Sequence, residues 1–220
     1  MKTVCYIPIK LNNQRVPGKN TKLLNGKPLL QYLLGTLANV SQIDRKYVFC
    51  SNEAIIPYLP NGIDFLKRPV SLDTAETRFN QIFSAFMNMV DADIYVVCHV
   101  TSPFLSQESI CECVEKVQSG EYDSAFTATR IQNFLWQDGQ PLNFDASNVP
   151  RTQDIKPVFQ ETSGIFVLKK EVFTTYSRRI GIKYYMKEIS EREAIDIDNP
   201  EDFEIAEAVA SYRNLKDKNQ

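Results

Sequence analysis

No apolar run in this 220-residue chain is long enough to span a bilayer, and the one near Met1 is too short for a signal peptide. Neither membrane insertion nor secretion is expected, and a cytoplasmic protein is. An excess of charge of one sign is also missing. The chain sets 25 Lys and Arg against 27 Asp and Glu, a formal charge of -2, so no general field favours nucleic acid or an anionic membrane. Histidine occurs once, at His99, and the five cysteines show no metal-ligand spacing. Cys5, Cys50 and Cys98 fall in expected strands, while Cys111 and Cys113 sit two apart on an expected helix, where neighbouring side chains do not share a face. They read as reduced thiols packed like small apolar residues. There is no internal repeat and no low-complexity tract.

What the chain does have is an alternating rhythm. Strand-like runs at Thr3 to Ile9, Lys46 to Cys50, Ile94 to Val100, Ser124 to Ala128 and Gly164 to Leu168 alternate with helical patterns at Leu29 to Asn39, Thr77 to Val90 and Glu108 to Ser119. Strands apolar on both sides, such as Tyr95-Val96-Val97-Cys98, imply a mostly parallel sheet covered by helices on both faces. The expected class is therefore α/β, a three-layer αβα arrangement with a Rossmann-like mixed sheet, in one domain over residues 1–220. In such sheets ligands bind at the carboxyl ends of the strands. The segments after Ile9, after Cys50 and around His99 to Pro103 share that edge.

The most informative stretch follows the first strand. Lys10, Arg15 and Lys19 place three cations in one loop, Gly18 lets backbone approach a ligand, and Asn12, Asn13 and Asn20 tolerate dihedrals that aim N–H groups inward. This is how a chain presents a triphosphate site; a solvated basic turn is the other reading of the same loop. Late in the chain, Ala194-Ile195-Asp196-Ile197-Asp198 in extended form puts Asp196 and Asp198 on one face and the isoleucines on the other. Two such carboxylates suit Mg²⁺, which removes their mutual repulsion. A solvated acidic edge beside a helix start remains the alternative. Asp91 and Asp93 have the same spacing but fall at the amino edge of the sheet, where a solvated turn is expected.

Residues 131–160 break the rhythm. They are polar yet hold Phe134, Trp136 and Phe144, with a hairpin signal at Asp138-Gly139, and read as an excursion whose aromatics need a covering surface, expected to be a second subunit. Asn199-Pro200-Glu201-Asp202 opens the last helix, and the chain is expected to fray after Arg213.

Together these segments resemble the cytidylyltransferases that activate sugar acids, the CMP-acylneuraminate synthetases and their 3-deoxy-manno-octulosonate relatives, over nearly the whole chain. The carriers are Ile7-Pro8, Arg15-Val16-Pro17-Gly18-Lys19-Asn20, Leu24 to Leu29, Cys50-Ser51-Asn52-Glu53, Lys67-Arg68-Pro69, Thr101-Ser102-Pro103-Phe104, Glu161-Thr162-Ser163-Gly164 and Ala194 to Phe203. The resemblance implies transfer of CMP from CTP to the anomeric hydroxyl of a 2-keto-3-deoxy sugar acid, with Mg²⁺ and release of pyrophosphate, by a homodimer built through the 131–160 arm. It implies phosphate and ribose contacts for Lys19 and Asn20, cytosine proximity for Arg68, and metal binding for Asp196 and Asp198. Lys10, Lys19 and Asp198 take catalytic roles. His99, Thr101, Ser102 and Glu161 are expected at the acceptor sugar, with Arg151 and Lys156 reaching it from the arm across the dimer. The chain departs from the family pattern in three places: Lys10 stands where an arginine is usual, Leu11-Asn12 replaces Gly-Gly, and His99-Val100 replaces Gln-Pro. A sugar-1-phosphate nucleotidyltransferase, a glycosyltransferase of similar fold and a non-catalytic dimeric nucleotide-binding protein are the alternatives.

Overall fold

The computed structural model describes residues 1–217. The elements run β1 (Thr3–Pro8), α1 (Leu30–Ala38), β2 (Arg45–Cys50), β3 (Asp64–Lys67), α2 (Phe79–Met87), β4 (Ile94–Cys98), α3 (Gln107–Gln118), β5 (Ser124–Ile131), β6 (Val158–Lys169), α4 (Lys170–Tyr176), β7 (Tyr184–Glu188) and α5 (Pro200–Asp217). Seven strands form one sheet in the order β3-β2-β1-β4-β6-β5-β7. Every neighbouring pair is parallel except the two that involve β6, which runs against both β4 and β5.

Alternation along the strands divides the core. Ile7, Val48, Val96 and Ile165 pack beneath α1 and α3, whereas Tyr6, Phe49, Tyr95 and Phe166 pack beneath α2 and α4. Helix α1 buries Leu30, Leu33, Leu34 and Leu37, the i, i+3, i+4, i+7 stripe of a helix with one apolar face. The opposite layer is aromatic: the Tyr6 ring lies 5.3 Å from Phe83 and 4.7 Å from Phe86. A third, smaller cluster joins α5 to the carboxyl edge through Leu24, Leu29, Phe104, Ile197 and Phe203. The expected three-layer α/β architecture is therefore present.

Several boundaries differ from the expectation. Strands β3 and β7 and helix α4 carry no strong pattern. Both strands lie at the edges of the sheet and stay half exposed, and α4 has only seven residues. Strand β6 begins at Val158 rather than Gly164, because its first turn of chain pairs with the end of β5, Phe159 opposite Arg130 and Glu161 opposite Ala128. This shortens the 131–160 excursion. Inside it, Trp136–Gln137 and Gln140–Pro141 form a small hairpin that turns at Asp138 and Gly139, both at positive φ, as the sequence suggested. Phe144 packs 4.6 Å from Phe134 and 5.5 Å from Trp136, while Trp136 itself remains 60% exposed. Asp91 and Asp93 sit at the amino edge, paired with Lys170 and the Lys2 backbone. All five cysteines are free. Helix α5 is helical through Asp217; the rest of the tail expected to fray lies outside the described residues.

Candidate active site

The basic loop is folded back on itself and leans on the segment after β3. Gly18 adopts φ 64°, a left-handed conformation that glycine enters without strain, and its carbonyl accepts from Thr21 N and Lys22 N to wind the short turn at Lys19–Thr21. Asn20 Nδ2 donates to the Lys10 carbonyl at 2.7 Å, closing the loop. Lys10 Nζ donates to the Thr74 carbonyl and Asn12 Nδ2 to that of Asp73. The result is a cleft of about 350 Å³ lined by Lys10, Asn12, Asn13, Arg15, Lys19 and Asp198, among others. Buried Oδ1 atoms of Asn13 and Asn20 find no protein partner, and Asn13, which is in the lining, can still accept from a ligand.

Arg68 lies one layer behind this cleft. It is 2% exposed, and its Nη2 meets Asp73 Oδ1 at 2.5 Å. The Ser51 hydroxyl donates to the other Asp73 oxygen. Arg68 thus holds the segment on which Lys10 and Asn12 rest and does not line the cleft itself. Asp73 is an organising residue that no motif in the sequence marked.

Residues 195–198 are extended without joining a sheet, and the expected alternation is present: Ile197 is fully buried while Asp196 and Asp198 are partly exposed. Four attachments fix the segment. Glu193 Oε1 accepts from Ser106 N and Oγ, Ile197 N donates to the Thr101 carbonyl at 2.8 Å, Lys19 Nζ donates to the Ile197 carbonyl at 2.5 Å, and Asp202 accepts from the N–H groups of Asp198 and Asn199. The last is the inward half of a capping box at the start of α5. Asp198 Oδ1 also lies 2.8 Å from Arg15 Nη2 and 3.4 Å from Lys19 Nζ. The cationic loop and the late carboxylate therefore meet across most of the chain.

Asp196 belongs to a second cleft, of about 360 Å³, lined also by Arg130, Glu161, Thr162, Ser163 and Glu191, among others. Its floor comes from an irregularity in β6: between Glu161 and Phe166 the pairing with β5 shifts register. Backbone released from the ladder there finds other partners. The Ser163 carbonyl lies 2.6 Å from His99 Nδ1, and the Gly164 carbonyl accepts from His99 N. A carbonyl only accepts, so Nδ1 carries the proton and Nε2 keeps its lone pair. Burial pulls the His99 pKa below its usual value, with the Ser163 hydrogen bond pushing partly back. Glu161 pairs with Arg179 at 2.6 Å, and that guanidinium sits 3.9 Å over the Phe166 ring.

The expected residues thus fall into groups. Lys10, Asn12, Asn13, Arg15, Lys19 and Asp198 line the first cleft, and Glu161 and Asp196 the second. Asn20, Arg68, His99, Thr101 and Ser102 lie behind the lining as supports, Thr101 through its carbonyl and Ser102 buried at 1% exposure. Arg151 and Lys156 are exposed on the arm and line neither cleft in their own subunit, where Arg151 pairs with Asp154. Asp73, Arg130, Arg179 and Glu193 are participants that the sequence did not single out, whereas Asp202 was expected only as part of the helix start.

The carboxylate pair can be tested for a metal on its own donors. Among the described residues no group of three or more His, Cys, Asp or Glu side chains could hold an ion. Asp196 Oδ1, however, is buried without a protein partner, two residues along the chain from the second acid. Two carboxylates with coordination left over for phosphate oxygens is the donor set Mg²⁺ takes at nucleotide sites, so the residues fit.

The carboxyl edge of this open α/β sheet sets a cationic loop against Asp198 and places Asp196 in a neighbouring cleft, an arrangement suited to holding a nucleotide beside a second substrate. The chain belongs to the cytidylyltransferase family, whose model matches residues 4–219. It is 23% identical over 214 residues to the N-acylneuraminate cytidylyltransferase of Streptococcus agalactiae serotype V, covering 92% of this chain and 52% of that protein. It is 26% identical over 203 residues to N-acylneuraminate cytidylyltransferase A of Danio rerio, covering 87% and 47%. The chain therefore spans about half the length of these curated relatives. The solved structure of a CMP:2-keto-3-deoxy-manno-octonic acid synthetase complexed with CTP superposes with a TM-score of 0.72 at 16% identity, covering 97% of this chain and 100% of that one, which shows a shared fold.

Proposed function

We propose that the protein transfers CMP from CTP to the anomeric hydroxyl of a 2-keto-3-deoxy sugar acid of the sialic-acid type, releasing pyrophosphate. The observation that carries this reading is the position of Asp196-Ile197-Asp198 between two clefts, with Asp198 in the wall of the cationic one and Asp196 in the wall of the other. A donor nucleotide in the first and an acceptor in the second place the α-phosphorus and the attacking hydroxyl at the carboxylates. The relatives' names supply the substrates: CTP for the synthetase structure and acylneuraminate for the curated proteins.

Lys10, Arg15 and Lys19 neutralise the triphosphate, and the loop amides hold it in one orientation. The acceptor oxygen attacks the α-phosphorus in line, the bond to the β-phosphate oxygen breaks with its electron pair, and pyrophosphate leaves. The hydroxyl proton passes to the Asp198 carboxylate. Asp196 and Asp198 would hold Mg²⁺, which supplies charge neutralisation at the α-phosphate and acidifies the attacking hydroxyl when bound. His99, behind the lining, is assigned a supporting role and not the expected substrate contact: its Nδ1–H holds the Ser163 carbonyl, and Ser163 lines the second cleft.

The exposed Trp136, Leu142 and Val149 on the arm support a homodimer built through residues 131–160, and this is part of the proposal. Arg151 and Lys156, carried on the same arm, would reach an acceptor only across such a dimer. Free thiols, four of the five buried, suit the reducing cytoplasm to which the proposal assigns the protein. The test is to incubate the purified protein with Mg²⁺, each of the four nucleoside triphosphates and a panel of ulosonic acids while following pyrophosphate. Release that needs both CTP and one of the acids is expected; no release with any pair refutes the reading.

A further inference from the structure

The second cleft is charged in an unbalanced way. Its lining includes three carboxylates, on Glu161, Glu191 and Asp196, and one cation, Arg130. Glu161 is already neutralised by Arg179. Arg130 is exposed and, among the described residues, has no ion pair or hydrogen bond from its side chain. An acid entering this cleft meets repulsion from Glu191 and Asp196 unless a cation takes its carboxylate.

The fold also explains why Arg130 is available. Phe126 and Ala128 of β5 belong to the core layer beneath α2 and α4, and by the two-residue period of a strand Arg130 continues the same face. It lies past the end of that core, at the carboxyl edge of the sheet, opposite Phe159 in the extension of β6. The strand therefore delivers a guanidinium to the cleft from a rigid element, and its planar fork matches a carboxylate with two parallel N–H bonds.

We propose that Arg130 is the residue that recognises the acceptor's carboxylate, acting within its own subunit; this rests on the reading of the second cleft as the sugar-acid site. Arg151, on the arm, is the competing cation, and in its own subunit it is engaged by Asp154.

The experiment measures pyrophosphate release with CTP and the best acid for the unaltered protein, Arg130→Ala, Arg130→Lys and Arg151→Ala, and repeats each with the methyl ester of that acid. Arg130→Ala is expected to raise the acid's KM by about tenfold to a hundredfold, the range for loss of a charge-assisted hydrogen-bonded pair. The KM for CTP should stay unchanged, Arg130→Lys should recover part of the loss, and the preference for acid over ester should collapse. An unchanged acid KM and an undiminished acid preference in Arg130→Ala overturn the proposal. So does a rise confined to Arg151→Ala, which would assign the carboxylate to the arm of a second subunit. If the unaltered protein releases no pyrophosphate with any acid, the functional reading itself fails and this proposal falls with it.

Discussion

Replacing Asp198 with Asn separates a reactive carboxylate from a merely solvated one. The side chain is 44% exposed and meets two cations of different character: Arg15, 62% exposed, and Lys19, 8% exposed. Asn keeps the shape and one oxygen acceptor but loses the charge. The Arg15 pair is too exposed for its loss to cost more than about 1 kcal/mol. Lys19 keeps its bond to the Ile197 carbonyl, so the buried ammonium loses a counterion and not its last partner, a penalty of about 1 kcal/mol. Together these reach about 2 kcal/mol at most and lower Tm by no more than about 4–8 °C for a chain of this size.

Turnover should respond on another scale. If the charge of Asp198 acts on the reacting groups, its loss costs about 3 kcal/mol in the barrier, or roughly a hundredfold in kcat. Metal-free CTP binding should move the other way, because removing one negative charge from the wall of the phosphate cleft relieves a repulsion on the order of 1 kcal/mol at partial exposure. The assays are thermal melting, pyrophosphate release at saturating substrates, and titration of CTP in the presence of a chelator. A kcat within a few-fold of the unaltered protein would refute the assigned role, and a tenfold loss of metal-free CTP affinity would show the carboxylate to be a scaffold for Arg15 and Lys19.

Gly18→Ala meets no atom within 4 Å of its new Cβ, so only the left-handed backbone at φ 64° is strained; about 1 kcal/mol of stability should be lost by urea denaturation, and Gly18→Asn should lose less. Glu112 accepts from Lys187 at 2.6 Å and from the Tyr185 hydroxyl, which together hold its carboxyl below the usual range. Its stabilisation is therefore complete above the unfolded carboxylate value near ~4.3 and lost as pH falls through the lower folded value. The urea midpoint of Glu112→Gln should sit below that of the unaltered protein at pH 7 and approach it towards pH 3; an equal gap at both pH values would refute the linkage. The proposed dimer predicts that the unaltered protein sediments with twice the chain mass and that Trp136→Ser falls to the monomer mass at micromolar concentration with Tm nearly unchanged, since the ring is mostly exposed within one chain; an unaltered protein that is monomeric, or a variant that keeps the doubled mass, refutes a dimer built through the arm.

Much of the fold was legible because burial on both faces leaves a local trace. Strands β1, β2 and β4 are apolar runs because helices cover them above and below, and α1 shows its leucine stripe because one side is buried in the core cluster. The elements that escaped notice are those whose environment is not uniform. Tyr184–Glu188 of β7 is half exposed along its length, and Val158 to Glu161 pairs beyond the core, where nothing imposes alternation. Nor does any local pattern reveal that β6 runs against its neighbours. Yet that reversal brings Glu161 to Gly164 to the edge where β1 and β4 end, and without it the second cleft would have no floor.

The site was legible to the extent that its chemistry is carried by residues close in sequence. Three cations in one loop, and two acids separated by one buried isoleucine, each make sense locally. The alternation of Asp196, Ile197 and Asp198 is present although the segment is not a strand, because Ile197 is drawn into the cluster beneath α5 and the acids on either side must point away. What sequence order hides is the set of single residues that hold those pieces in register. Asp73 supports the basic loop through Arg68, Ser51 and Asn12, and Glu193 pins the acidic segment to Ser106. Arg130 reaches the cleft only because its strand outlasts the core. Each of these is one charged residue among many on the linear chain, and each gains its meaning from a neighbour that folding alone supplies.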